Sequence, residues 1–496
     1  MLKVGGQRAE EKEPMNDYEF KFTPYKHQMT ALDMSKNKDN FALFCEMGTG
    51  KSKILIDTMC MLRDAGDING ALIVAPKGVY KNWERSELPT HMPDRYVDTT
   101  DIVAWSPKET KAQLAALSVL LKKDGRFKLL VMNVEAFSTL KGTEFATKFM
   151  KANKCLMAVD ESTTIKNRTA KRTKNIVKVG DLAEYRRILT GSPVTKSPMD
   201  LYSQCAFLDP RLIGFNSFFA FQARYAKMVR RTMGSHSFNQ IVGYQNLEEL
   251  STRLDNFSYR VLKKDCLDLP EKVYIKRTVE LCPEQAVLYR QMKDMSIALL
   301  QNKGMVTAQN VLTQLLRLQQ ICSGFIKNDD GEIKRFESNK IKELMETVEE
   351  IDGKAIIWAV FTDDILAITK ALKEEYGPDS AAAYYGATEA DERQNIVDKF
   401  QQPDSKLRFF VGQPRTGGYG LTLTEARTVI YLNNVFDLEV RLQSEDRAHR
   451  IGQKNTVTYI DIVAEGTVDE KILKALRDKI DVATLILKEE YKDWLI

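Results

Sequence analysis

Lys51 and Ser52, closing the stretch FALFCEMGTGKS (Phe41–Ser52), are residue types suited to phosphate chemistry. A lysine there brings a positive charge to the outer phosphates of a nucleotide, and a serine hydroxyl is a hard oxygen ligand for magnesium. Gly48 and Gly50 let the backbone of Met47, Gly48, Thr49 and Gly50 curl until its N–H groups face an anion. The pattern departs from GxxxxGK[ST] at one point, Cys45 in place of glycine. Asp160-Glu161 follows the apolar run CLMAV (Cys155–Val159). Asp160 there can share magnesium with Ser52, and Glu161 can orient and deprotonate an attacking water. Gln443, Arg447 and Arg450 form a third set, with the arginines three apart on one face if the segment is helical. A guanidinium fixed across a cleft from a phosphate contributes about 10³–10⁵ in rate. Gln28, in FTPYKHQ at a helix start, has an amide able to pair with both edges of adenine.

These residues need a scaffold that brings them to one edge. Short apolar runs at Phe41–Phe44, Ala71–Ala75, Leu129–Asn133, Cys155–Val159 and Arg187–Leu189 read as buried strands, separated by helical stretches such as Lys111–Lys122. That alternation predicts a parallel, doubly wound α/β sheet with Lys51, Asp160 and Thr190 at the carboxyl ends of its strands. A second set, Ala355–Val360, Leu407–Val411, Val429–Leu432 and Val457–Val463, predicts a second sheet of the same kind. Between them, residues 213–335 are rich in helix formers, and the aromatic spacing of FNSFFAFQARYAKM (Phe215–Met228) reads as core packing between helices.

With 496 residues the chain is too long for one core. Its 73 Lys and Arg against 68 Asp and Glu leave a net charge of +5, so any nucleic-acid surface must come from local clustering. The seven cysteines are scattered, with no CxxC pair, and read as reduced core residues rather than zinc ligands. No apolar run is long enough to span a membrane, and no signal-peptide core opens the chain. The expectation is a soluble cytoplasmic protein, in a host cytoplasm if viral.

The order DESTTIKN (Asp160–Asn167), RILTGSPVTKSPMDLYSQCAFLDP (Arg187–Pro210), GYQNLEEL (Gly243–Leu250), RVLKKDCLDLPEK (Arg260–Lys272), GGYGLTLTEA (Gly417–Ala426) and QSEDRAHRIGQ (Gln443–Gln453) resembles the Swi/Snf-like branch of superfamily-two helicases, in a compact bacterial or bacteriophage form. The resemblance implies two RecA-like parallel-sheet motor lobes with a helical insertion between them. Residues 18–212 would then be the ATP-binding lobe, 213–335 the insertion, and 336–496 the second lobe with C-terminal helices, while residues 1–17, with Gly5-Gly6 and the charge run Glu10–Glu13, read as a disordered tail. It further implies ATP and Mg2+ in the interlobe cleft, with Gly418 on the nucleotide side, and a monomeric motor translocating on double-stranded DNA. Lys77, Asn133, Trp358 and Gly417 fall in motifs that track the nucleic-acid backbone, single-stranded DNA being a further possible track. A helix after Glu161 is expected to carry Lys166, Arg168, Lys171, Arg172, Lys174 and Lys178, either as a solvated face or as contacts to phosphates. A strand-separating or branch-migrating helicase and a weakly hydrolysing ATP-gated clamp are the alternative readings. One departure stands out: Ser162-Thr163 replaces the usual Ala-His, and the shorter Thr163 is expected to loosen the coupling of hydrolysis to DNA.

Overall fold

The computed structural model describes residues 18–487 except 109, 234–235, 302–307, 328–331, 418–420 and 451. The expected tail at 1–17 and Gly418 therefore lie outside the described residues. The first lobe is built on β1 (Asn40–Cys45), β2 (Gly70–Ala75), β3 (Thr100–Ala104), β4 (Phe127–Asn133), β5 (Cys155–Asp160) and β6 (Tyr185–Leu189). A two-stranded ribbon follows, β7 (Ala226–Met233) against β8 (His236–Tyr244), and then β9 (Ser258–Val261) returns to the first sheet. The order is β3-β4-β2-β5-β6-β1-β9, all neighbours parallel.

Parallel strands covered on both faces need apolar residues at every position. β1 meets that demand: Ala42 and Phe44 enter one core layer, Phe41, Leu43 and Cys45 the other. Its neighbour β6 pairs on its far side with β5, so the loops after β1, β5 and β6 open on one edge. That edge receives Lys51, Asp160 and Thr190.

The second sheet holds β10 (Lys272–Val279), β13 (Lys354–Trp358), β14 (Ala381–Tyr384), β15 (Phe409–Gly412), β16 (Ala426–Tyr431) and β17 (Val457–Ala464), in the order β10-β17-β16-β13-β15-β14. A small hairpin, β11 (Phe325–Lys327) with β12 (Ile333–Arg335), lies between β10 and β13 in the chain. The two sheets therefore divide between Val261 and Lys272, inside the stretch 213–335. That stretch carries the helices Phe218–Tyr225, Leu247–Asp255, Pro283–Gln301 and Ala308–Ser323, but it also supplies strands to both sheets. The aromatic run packs as core only in part: Phe221 and Tyr225, 4.9 Å apart, are buried in the first lobe, while Phe219 is exposed.

Candidate active site

The phosphate loop lies between β1 and the helix Lys51–Asp64. Gly48 and Gly50 take φ of 77° and 86°, the left-handed region where a side chain is strained. Gly50 is fixed further, because a Cβ there would lie 2.2 Å from Gln28 Nε2. Lys51 Nζ donates to the carbonyls of Cys45 and Glu46 at 3.0 and 3.3 Å, so it is bound to neutral acceptors that an anion can displace. Cys45 itself, where glycine was expected, is simply the buried end of β1. Ser52 sits half-buried in the first turn of the helix.

Gln28 braces the phosphate loop. Its Oε1 accepts the Tyr25 N–H at 2.9 Å and its Nε2 donates to Thr49 O at 3.2 Å, so both edges of the amide brace the loop in this conformation. His27 Nε2 donates to the same carbonyl at 2.8 Å. A pocket of about 740 Å³ adjoins them, lined by Tyr25, His27, Tyr259, Arg260 and Cys266 among others.

Asp160 ends β5, and Glu161 follows in the left-handed region with φ 47°. A non-glycine residue held there carries local strain, which positions its side chain. Trp83 Nε1 and the Glu161 N–H donate to the two oxygens of Asp160, each at 3.0 Å. Burial pushes the Asp160 carboxyl above its usual range, with Lys51 and the Trp83 bond opposing. Burial likewise pushes Glu161 up to about 7; Lys51 pulls against this, while Asp160 and Glu439 add to it. Two crowded carboxyls short of positive charge, beside a lysine and a serine hydroxyl, fit a bound magnesium. Among the described residues no cluster of three or more His, Cys, Asp or Glu could hold a metal by itself. Magnesium would therefore rely on Ser52, Asp160 and the oxygens of the nucleotide.

The second lobe completes the cleft. The helix Leu438–Glu445 ends before the arginines, so Arg447 and Arg450 stand in the turn that follows rather than on a helical face. Both guanidinia converge by another route: Arg447 Nη1 and Arg450 Nη1 donate to Leu421 O at 3.0 and 3.1 Å. Arg447 Nε also holds the Gln443 carbonyl at 2.8 Å. A Cβ on Gly48 would lie 3.9 Å from the Arg450 Cβ, which places this arginine directly over the phosphate loop. Lys263 meets the same point, its Cε 3.5 Å away. Its buried ammonium pairs with Asp446 and donates to His449 O at 2.7 Å. Burial drives that ammonium well below its ordinary pKa, with Glu46 opposing.

Thr163 crosses the cleft too. Its hydroxyl donates to Glu439 of the second lobe, whose other oxygen takes Lys166 Nζ at 3.2 Å. Gln443 Nε2 donates weakly to the same carboxylate at 3.4 Å. Thr163, where the resemblance implies a histidine, is thus held by an acid of the second lobe.

The residues expected on nucleic acid are placed unevenly. Lys77 is exposed at the end of β2, and Lys171 is exposed at the start of the helix Lys171–Gly180. Arg172 is half-buried, and its Nε is buried without a hydrogen-bond partner. Lys166 and Arg168 precede that helix in a loop: Lys166 is tied to Glu439 and Thr195, and Arg168 stacks 4.3 Å from the Phe218 ring. Asn133 is buried and accepts the Ala136 N–H at 2.8 Å, a capping role. Trp358 is fully buried, and a Cβ on Gly417 would come 2.6 Å from its ring. Asn133 and Trp358 are thus buried within their own lobes, with Gly417 packed on the Trp358 ring.

The description "SNF2-related domain" matches residues 27–324, and "Helicase conserved C-terminal domain" matches 339–452. The chain belongs to the SNF2-related family. It is 28% identical over 462 residues to the putative ATP-dependent helicase/translocase YwqA of Bacillus subtilis, covering 91% of this chain and 46% of that protein. It is 27% identical over 479 residues to the transcription regulatory protein SNF2 of Saccharomyces cerevisiae, covering 91% and 27%. The chain therefore spans less than half the length of these relatives. Among solved structures it is similar to the Sulfolobus solfataricus SWI2/SNF2 ATPase core in complex with dsDNA, at 24% identity, TM-score 0.42 and 95% coverage of both chains.

Three residues of the cleft carried no role in the sequence reading. Glu439 lies four positions before Gln443 on the same helix face, a spacing that marks it as part of the site. Lys263 stands in RVLKKDC, a segment matched to the family without a role. Trp83 carries no local signal, because its bond to Asp160 spans two strand–helix units.

Proposed function

We propose that this chain is an ATP-driven motor that translocates on duplex DNA, hydrolysing ATP between its lobes. The observation that carries the reading is convergence: Arg450 stands over Gly48, while the charges of Lys51 and Arg447 both act on Glu161. A cradle, a base and two guanidinia from opposite lobes make a site for phosphoryl transfer to water.

In this reading the Gly48–Gly50 backbone and Lys51 bind the β- and γ-phosphates, and the pocket beside Tyr25 and His27 takes the adenine. Ser52 and Asp160 would hold magnesium, which would supply positive charge to the phosphate oxygens. Glu161 orients a water on the γ-phosphorus. The water oxygen bonds to that phosphorus, the bond to the β-phosphate oxygen breaks, and the water proton passes to Glu161. A carboxyl whose proton affinity is raised toward neutrality suits that transfer. Arg447 and Arg450 stabilise the charge spread over the γ-phosphoryl oxygens. Glu439, bonded to Thr163 and Lys166, links the lobes as this happens. The motor works as a monomer, and among the described residues no helix is long and apolar enough to cross a membrane. Its free, mostly buried cysteines suit the reducing cytoplasm.

ATP turnover without nucleic acid, then with duplex DNA, single-stranded DNA and RNA, tests this. Duplex DNA should stimulate most. A rate that no nucleic acid moves would leave an ATPase but remove the motor. Displacement of a labelled strand would favour strand separation instead.

A further inference from the structure

The β7–β8 ribbon belongs to neither lobe sheet. A lone two-stranded ribbon with both faces in water is marginal by itself, so its exposed residues need another reason to be there. Its root is secure: Tyr225 and Ala226 are buried in the first-lobe core, and Ile241 and Tyr244 pack against it. Beyond the root, Lys227 through Arg231 and Ser237 through Gln240 are exposed on both faces.

The composition of this exposed part is one-sided. From Ala226 to Tyr244 there is no acidic residue, while Lys227, Arg230 and Arg231 are basic. Among the described residues, no ion pair joins these three to an acid; the acids at the root are engaged elsewhere, as Glu249 is by Arg224 and Arg253. The register sets Arg230 opposite Asn239 and Arg231 opposite Phe238. Arg231 Nε donates to Gln240 Oε1 at 3.3 Å. Since neighbours on a strand point to opposite faces, each face carries a guanidinium beside an amide. Phe238, 49% exposed, adds a ring on one of them.

We propose that this ribbon is a second duplex-DNA contact of the motor, lying against a groove with its arginines on the flanking phosphates. The inference rests on the duplex-translocase reading given above. Its dimensions fit: a two-stranded ribbon enters a major groove about 12 Å wide. The eight residues of β7 reach about 27 Å at about 3.4 Å per residue. The surface is continuous with the basic run after Glu161, because Arg168 from that run stacks on Phe218 and Phe219 of the helix leading into β7. Arginine and amide side chains contact phosphates of any sequence, as a motor requires.

Duplex affinity measured against salt for the wild type and for R230Q/R231Q tests the assignment. Each phosphate contact contributes about 0.9 to the log–log slope. The double variant should therefore bind more weakly, with a slope shallower by about 1.8, while its DNA-free ATP turnover and melting temperature stay as in the wild type. A double variant with the wild-type slope and affinity would overturn the ribbon contact and leave the motor reading intact. A loss seen only with RNA, or only with an acidic protein surface such as a polyglutamate probe, would overturn it too. If the wild type itself fails to bind duplex, the underlying reading falls with it.

Discussion

Glu439→Gln perturbs the link between the lobes without removing bulk. The wild-type carboxylate accepts from Thr163 on one oxygen and from Lys166, at 3.2 Å, on the other. An amide has one acceptor and one donor, so one of the two partners must face an N–H group. A hydrogen bond to a charged group contributes about 1.5–3 kcal/mol. The Lys166 side chain is 20% exposed and keeps Thr195 as a partner, which favours the lower end. A loss of about 1.5 kcal/mol shifts the closed–open balance roughly tenfold toward open. Interlobe energy transfer would read it, with dyes on Leu140→Cys and Lys370→Cys, whose parents are 71% and 78% exposed. Cys266, the one half-buried native thiol, would be replaced by serine. The variant should show a larger open fraction without nucleotide. The acid limb of its turnover profile should move to lower pH, because Glu439 is one of the charges raising Glu161. An unchanged distance distribution with an unmoved acid limb would refute the link.

Gly50→Ala should abolish ATP binding and lower the unfolding midpoint, since a Cβ at φ 86° also meets Gln28 Nε2; titration with a fluorescent nucleotide checks it. Thr163→His should lose stability by about 1–3 kcal/mol through overpacking at a site only 2% exposed, rather than tighten DNA coupling, as denaturant melts beside turnover would show. His449 gives a pH dependence. Its Nε2 donates to Pro270 O at 2.7 Å and its Nδ1 is buried without a partner. Burial lowers its pKa from 6.5 to about 4. The neutral form is favoured in the folded chain, so this contribution is complete above the unfolded pKa and is lost as pH falls through the folded one. The loss is at most about 3.4 kcal/mol. Stability of His449→Gln, measured across that interval, should fall less steeply than the wild type's.

The chemical groups were legible where local pattern determines them. A buried strand, two glycines and Lys-Ser pointed to a phosphate loop, and the segment takes the strand–turn–helix form that such a loop needs; the acid pair likewise follows the apolar strand β5. Strands were missed where burial is partial. β3 is half-exposed along its middle, and β14 reads as AAAY, with no branched residue to mark it. The division of the sheets between Val261 and Lys272 was hidden because β10 alternates exposed and half-buried residues at a sheet edge. Contacts across the cleft were illegible in principle. Thr163 and Glu439 stand 276 positions apart, and no window of sequence holds both. The same holds for Gln28, whose amide is taken up by Thr49 and Tyr25 only once the loop is folded.

Glu161→Gln, compared with the wild type at saturating duplex DNA, tests the cleft chemistry most directly. Glutamine keeps size and hydrogen bonding but cannot take the water's proton. Measured together, nucleotide affinity should stay within a few-fold of the wild type while turnover falls at least about 10²-fold. Turnover close to that of the wild type, with affinity intact, would contradict the assignment of Glu161 as the base and with it the account of how the two lobes hydrolyse ATP.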